Sequence, residues 1–144
     1  MISSNTLRIR FLQVADELGI ELGGRPRTLD AALEVLGTRL PEPSNRVSYL
    51  LLAVTAARIP LPEEVVSLER EWTLIGATRM LDIVVSRARA AERWSFGSRR
   101  GVRISHGAIV DVHDTAHSPY TTGIQRVVRS TLELWMKEHD LELR

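Results

Sequence analysis

The pattern of apolar positions divides the chain into a long helical part and a short part of different character. Apolar residues recur every three or four positions in five segments before residue 94, which is the spacing of one helical face. At 108–112, a run rich in β-branched residues indicates a short buried strand instead. The sequence therefore predicts a mainly α protein, in which an N-terminal helical module precedes a segment that begins with a β-strand.

Capping residues and helix breakers give the expected limits of the first three helices. The first follows a cluster of serine and asparagine and stops at Gly19. Thr28 is the predicted N-cap of the second, which Gly37 and Pro41 are expected to end. The third begins near Ser44 and is apolar on nearly every side, which is typical of a buried central helix.

Two further helices are expected before residue 94. Pro62 and the carboxylates that follow it are a helix-start signal, because proline suits the first turn and acidic groups interact favourably with the positive end of the helix dipole. This helix should run to about Trp72. The apolar phase then changes, which predicts a break within 73–76. The face of the fifth helix is expected to contain Leu81, Val84 and Ala88.

Composition narrows the class of protein without pointing to a ligand. The chain has 44% hydrophobic and 26% charged residues, which excludes a disordered or collagen-like protein. A formal net charge of +1 gives no general reason to expect nucleic acid as a partner. Cysteine is absent, and no apolar run is long enough for a membrane span. We expect a cytoplasmic protein, with peripheral association at the inner membrane as an option.

The chain is expected to consist of three parts. Residues 1–94 form the helical accessory module, and 95–103 form a linker rich in arginine, serine and glycine. Residues 104–144 form a strand, a loop, a helix and the start of a returning strand at Leu141. One β-α unit cannot satisfy the backbone hydrogen bonds of a sheet alone. We therefore expect 104–144 to be the start of a larger, here incomplete, α/β domain.

The residues at 109–112, Asp114 and the string Thr-Gly-Ile-Gln-Arg-Val at 122–127 carry a family resemblance. This combination resembles the start of the N-terminal Rossmann-like domain of bacterial family four glycosyltransferases. These are enzymes of the GT-B type that build cell-surface polysaccharides. The resemblance covers about a quarter of the chain.

The resemblance implies an enzyme that transfers a sugar from a nucleotide donor to a growing surface glycan. The nucleotide sugar and the glycan acceptor are then the partners, and neither a cofactor nor a metal ion is expected. The usual donor-binding residues of the family lie in a C-terminal domain, so residues 1–144 are expected to be inactive alone. The implied substrate-binding residues are Thr122, Gly123, Gln125, Arg126, Asp114 and His117.

The residue types at the predicted start of this helix are suited to an anionic ligand. Thr121 or Thr122 can cap the helix, and Gly123 lets a ligand approach the backbone because it has no Cβ. The free N–H groups of a first helical turn favour a phosphate. Arg126 and Arg129 are three residues apart and share one side of the helix. A diphosphate or a phosphorylated acceptor would suit this position.

Alternative chemistry at the same segment stays open. His113 and His117 could contribute to a metal site with nearby carboxylates, but on a loop their spacing does not define a ligand geometry. His117 or Asp114 could instead act as a general base. Neither the metal-site assignment nor the general-base assignment identifies the other residues that its chemistry needs.

The helical module has two alternative functions. Its first two helices could form a DNA-binding helix-turn-helix, with phosphate contacts from Arg8, Arg10, Arg25 and Arg27. The exposed positions of the second helix are acidic, however, which disfavours DNA. A noncatalytic module for protein interaction or regulation is therefore the main alternative to a glycosyltransferase.

Overall fold

Five α-helices make up most of the first ninety-two residues. The structure, a computed structural model, describes residues 2–92, 102–104, 108–110, 131 and 141–143. The prediction of a mainly α protein is confirmed for these residues. The helices are α1 (Ser4–Glu17), α2 (Leu29–Arg39), α3 (Asn45–Ala56), α4 (Pro62–Ile75) and α5 (Ala77–Glu92).

Side-chain caps start the first three helices. Ser3, Thr28 and Ser44 each accept a hydrogen bond from the backbone N–H three residues later, at 3.0, 3.2 and 3.4 Å. Such bonds satisfy donors that have no partner inside the helix. The predicted cap at Thr28 and the predicted start of the third helix near Ser44 are therefore confirmed.

Glycines lie at two of the predicted helix ends. Gly19 follows α1 with a φ of 66°, and Gly76 separates α4 from α5 with a φ of 81°. Glycine is the residue for which such values cost least, because it has no Cβ. The break predicted within 73–76 is confirmed, although α4 continues to Ile75, beyond the predicted limit at Trp72.

The hydrophobic core lies where α3 and α5 meet the other helices. Helix α3 contacts α1, α4 and α5, and α5 also contacts α2 and α4. The prediction of a buried central α3 is confirmed, except that Tyr49 and Arg46 leave one side of it exposed to solvent. The fully buried large apolar side chains are Leu7, Phe11, Val14, Leu36, Leu51, Leu68, Met80, Leu81 and Val84.

The prediction that Gly37 ends the second helix is wrong. Gly37 lies inside α2, which continues to Arg39. A Cβ at Gly37 would lie 2.7 Å from Thr78 Oγ1 and 3.3 Å from Thr78 Cα. Both separations are shorter than ordinary contacts between such atoms, so the glycine allows α2 and α5 to approach closely.

We expect Gly37→Ala to destabilise the protein despite alanine's better helix propensity. Alanine gains about 1 kcal/mol over glycine in a helix interior, but overpacking costs roughly 1–3 kcal/mol, so the net loss should be about 1 kcal/mol. Urea denaturation measures it. In a Thr78→Ala background the loss should shrink, because the nearest clashing atom is gone. A more stable Gly37→Ala protein in the wild-type background would contradict the close packing.

The chain divides into two compact units, Met1–Val102 and Arg103–Arg144. In the second unit β1 (Ala108–Val110) pairs in parallel with β2 (Leu141–Leu143). Thr131, between them in sequence, is helical. The rest of the predicted loop and helix lies outside the described residues, so the Rossmann-like unit stays a prediction. No helix in the described part has the length and apolar character needed to cross a bilayer.

Candidate functional site

The six substrate-binding residues implied by the sequence lie outside the part of the chain that the structure describes. The alternative metal and general-base assignments at His113 and His117 fall on the same segment. These assignments therefore stay predictions. The six residues are Asp114, His117, Thr122, Gly123, Gln125 and Arg126.

The described strands locate the sheet edge from which this segment leaves. Ala108 lies opposite Leu141 and Val110 lies opposite Leu143, with both strands running in the same direction. The carboxyl ends of both strands therefore lie at one edge, and the chain continues from Val110 into residues 111–123. In open α/β sheets, ligands gather at this edge.

A groove with both polar and apolar lining residues lies beside the C-terminal end of α1. Its volume is about 620 Å³. The loop that borders it is held from two sides, because Arg8 donates to the Pro26 carbonyl at 3.0 Å and Arg39 donates to the Glu21 carbonyl. The groove is lined by Leu12, Asp16, Gly19, Ile20, Glu21, Leu22, Gly24 and Arg25.

The side chains of this groove do not form a recognisable reactive site. Asp16, Glu21 and Arg25 are exposed to solvent, where a high dielectric weakens their interaction with a ligand. Among the described residues that line the groove, none has a hydroxyl, thiol or imidazole side chain that could act as a nucleophile or base beside them. In residues 2–92 and the short described segments after them, no acidic and histidine side chains are grouped closely enough to hold a metal ion.

Arg10 has a structural position that sequence reasoning missed. The helix-turn-helix alternative needs Arg10 as a phosphate contact, but only 3% of Arg10 is exposed. Its Nη1 donates to the Thr55 carbonyl at 2.7 Å. Thr55 lies in the last turn of α3, where carbonyls have no partner inside the helix and a cation is favoured. Arg10 therefore caps α3 from α1.

A half-buried polar contact links α4 to α5. Arg87 Nη2 lies 2.7 Å from Glu71 Oε1, which also accepts a hydrogen bond from the Ser67 hydroxyl at 2.8 Å. Glu71 Oε2 and Arg87 Nη1 are buried without a hydrogen-bond partner. The pair orients the two helices, but it is incompletely satisfied and cannot be counted as a large source of stability.

The corner between α3 and α4 is fixed by an ion pair. Arg58 donates to both carboxylate oxygens of Glu64, at 2.8 and 2.5 Å, and Glu64 also accepts the Leu61 N–H at 2.8 Å. The hydrogen bond from Arg58 is the main reason that the pKa of Glu64 falls from 4.5 to about 2. The Leu61 N–H acts in the same direction, and partial burial opposes both.

This ion pair should make stability depend on pH in the acidic range. Because folding lowers the pKa of Glu64, its contribution is present above pH 4.5 and is lost as the pH falls towards about 2. Glu64→Gln should be less stable than wild type at pH 7, by about 1 kcal/mol or less for so exposed a pair. Thermal melting between pH 2 and 7 should show the two proteins converging at the acid end. Glu63→Gln, at an exposed neighbour, is the control, and an equal pH dependence in it would contradict the assignment.

A mainly apolar groove, here called the corner groove, lies between the first turns of α3 and α4. Its volume is about 460 Å³. Two exposed apolar side chains of the connecting segment, Ile59 and Leu61, lie beside it in the chain. The groove is lined by Asn45, Arg46, Tyr49, Pro60, Pro62, Val65 and Val66.

Known proteins supply no further assignment for these features. A comparison of the chain with protein-family models, with curated proteins and with solved structures found no match. Assignment of a function thus depends on the motif at 122–127, on the parallel strands and on the surfaces of the helical module.

Proposed function

We propose that residues 104–144 begin the acceptor-side, Rossmann-like domain of a GT-B glycosyltransferase. The observation that carries the proposal is the string Thr-Gly-Ile-Gln-Arg-Val at 122–127, which follows a short β-strand. The enzyme transfers a sugar from a nucleotide donor to a growing surface glycan. The helical module is an accessory part of the same enzyme.

The pairing of the two strands supports this proposal. Parallel neighbours cannot be joined by a tight turn and need a crossover connection, which is most often a helix. Between β1 and β2 the chain has enough residues for such a crossover, and Thr131 within it is helical. A terminal β-hairpin would instead require antiparallel strands.

In the proposed enzyme, the segment after β1 binds the substrates. Thr122 caps the helix, and Gly123 leaves room for a phosphate or a sugar beside the first-turn N–H groups. Gln125 and Arg126 contact the polar and charged groups of the substrate. Asp114 and His117, in the preceding loop, contact substrate hydroxyls.

The first test concerns the gene and the activity of its product. The natural reading frame should continue past Arg144 into further β-α repeats and a second domain. That second domain should supply the donor site, so the 144-residue chain alone should transfer no sugar. Turnover of any nucleotide sugar by this chain, or a stop codon directly after Arg144, would refute the proposal.

The second test changes the proposed site in the intact enzyme. Gly123→Val should lower activity while the fold survives, because a branched side chain fills the space of the ligand. Arg126→Ala should lower kcat/KM by the equivalent of about 1.5–3 kcal/mol, as expected for a lost charge-assisted hydrogen bond. Steady-state kinetics and melting curves are recorded together. Arg79→Ala, at an exposed position of α5, is the control. If Gly123→Val and Arg126→Ala both keep wild-type kinetics, the segment has only a structural role.

A second candidate function is a noncatalytic module for protein interaction. The observation that favours it is the corner groove, around which apolar side chains remain exposed. The sequence of the reading frame beyond Arg144 distinguishes the two candidates, because an interaction module needs no donor-binding domain.

A further inference from the structure

Exposed apolar side chains are concentrated at the corner groove. Among the described residues, seven large apolar side chains are exposed, and four of them lie in or next to this groove in the chain. Ile59 is 81% exposed there. Single exposed apolar residues are common, whereas a cluster around a concave surface usually marks an interaction site. The four are Tyr49, Ile59, Leu61 and Val66.

Side chains of opposite charge lie at the corner groove: Arg46 belongs to its lining on α3, and Glu63 follows the lining residue Pro62 on α4. On α3, Arg46 precedes Tyr49 by three residues, so the two are neighbours on one face. On α4, Glu63 precedes Val66 by the same spacing. Each helix therefore presents one charged and one apolar side chain side by side, positive on α3 and negative on α4.

Neither charge is neutralised within the described part of the molecule. Glu64, the neighbour of Glu63 on α4, binds Arg58 through both of its carboxylate oxygens. Within residues 2–92, neither Arg46 nor Glu63 makes a side-chain hydrogen bond or an ion pair, and both side chains are exposed. Both charges are therefore available to a partner.

We propose that the corner groove binds the corner groove of a second copy of this chain, forming a two-fold symmetric dimer. In a two-fold interface the same patch is used twice, so that residue i meets residue j and j meets i. Facing α3 with the partner's α4 brings Arg46 next to Glu63 of the partner subunit, twice in each dimer. The apolar side chains between the charges then leave water together. A partner of uniform charge would match only one of the two helices.

The dimer is expected to be weak and reversible. A stable specific interface buries roughly 800 Å² on each partner, and this patch consists of two helix starts and one connecting segment. Association should therefore depend on concentration. Burial of apolar surface should supply most of the free energy of association. The charge pairs mainly select the orientation.

Sedimentation equilibrium of the 144-residue chain is the first test. The average mass should rise from monomer towards dimer as the protein concentration increases. Tyr49→Glu should weaken association by about tenfold or more, because it places a charge at the centre of the patch. Leu74→Glu is the matched control, since Leu74 is 82% exposed on α4 but is not part of the groove. Circular dichroism melting confirms that both variants are folded.

Charge reversal tests the pairing itself. Arg46→Glu and Glu63→Arg should each weaken self-association, because each places like charges opposite one another. An equimolar mixture of the two variants should recover dimer, since every charge then meets its opposite on the other chain. High salt should reduce the difference between the variants.

Three results would overturn the proposal. One is a protein that stays monomeric at every concentration, which would leave the groove to a different occupant. Another is a dimer that Tyr49→Glu does not weaken, because the interface would then lie elsewhere. The third is a mixture of the charge-reversed variants that associates no better than either variant alone.

Discussion

Leu51→Ala should lower the free energy of unfolding by about 2–5 kcal/mol. Leu51 is fully buried on α3, the helix that contacts α1, α4 and α5. The substitution removes buried apolar groups and leaves a cavity that neighbouring helices can close only in part. Since domains of this size are stable by roughly 5–15 kcal/mol, the loss is a large fraction of the total. The melting temperature should fall by roughly 10 °C or more.

The neighbouring leucine provides a matched control for this prediction. Leu50 lies on the same helix and has the same chemistry, but it is only half-buried. Leu50→Ala should therefore cost clearly less than Leu51→Ala. Chemical denaturation of both variants measures the difference. Equal losses would show that the orientation of α3 differs from that described.

Arg10→Ala should destabilise the protein by about 3 kcal/mol. The change removes a hydrogen bond from a charged donor to the Thr55 carbonyl, which is worth roughly 1.5–3 kcal/mol. It also removes the packing of the aliphatic stem. The buried carbonyl at the end of α3 then loses this donor. Thermal and urea unfolding of the variant should both show the loss.

Two further variants separate the causes of this effect. Arg10→Met keeps much of the stem and removes the donor, so its loss should be smaller than that of Arg10→Ala. Arg70→Ala, at an exposed position of α4, should change stability by less than about 0.5 kcal/mol. If Arg10→Ala were as harmless as Arg70→Ala, the capping role of Arg10 would be refuted.

The features that could be predicted from sequence are those that neighbouring residues determine. Thr28 and Ser44 cap helices because their own hydroxyls reach the first turn, whatever packs around them. The end of α4 follows from Gly76 and from the change in apolar phase before α5. Such local signals need no knowledge of the tertiary contacts.

The features that could not be predicted depend on residues that are distant in sequence. Gly37 resembles a helix stop until Thr78 of another helix is placed against it. Arg10 resembles a surface cation until α3 ends beside it, forty-five positions along the chain. The corner groove likewise depends on two helix starts that meet in space. Periodicity indicates which face of a helix is apolar, but it does not identify what covers that face.

The candidate substrate site stays a prediction from the motif. Thr122, Gly123, Gln125 and Arg126 are named by their match to a family pattern, and local rules explain only why such residues suit a helix start. The described backbone adds the parallel direction of the two strands before and after this segment. The parallel direction favours a crossover connection over a hairpin. The kinetic tests decide whether the segment contacts a ligand.

The position of α5 in the fold has a consequence for synthesis on the ribosome. Helix α5 is the last of the five to be made, yet it covers parts of α2, α3 and α4. A nascent chain that ends after α4 therefore exposes the apolar faces that Met80, Leu81 and Val84 will later bury. Cooperative folding of the module should wait until α5 has left the exit tunnel. Chaperones that recognise exposed apolar helices would have their opportunity to bind during that interval.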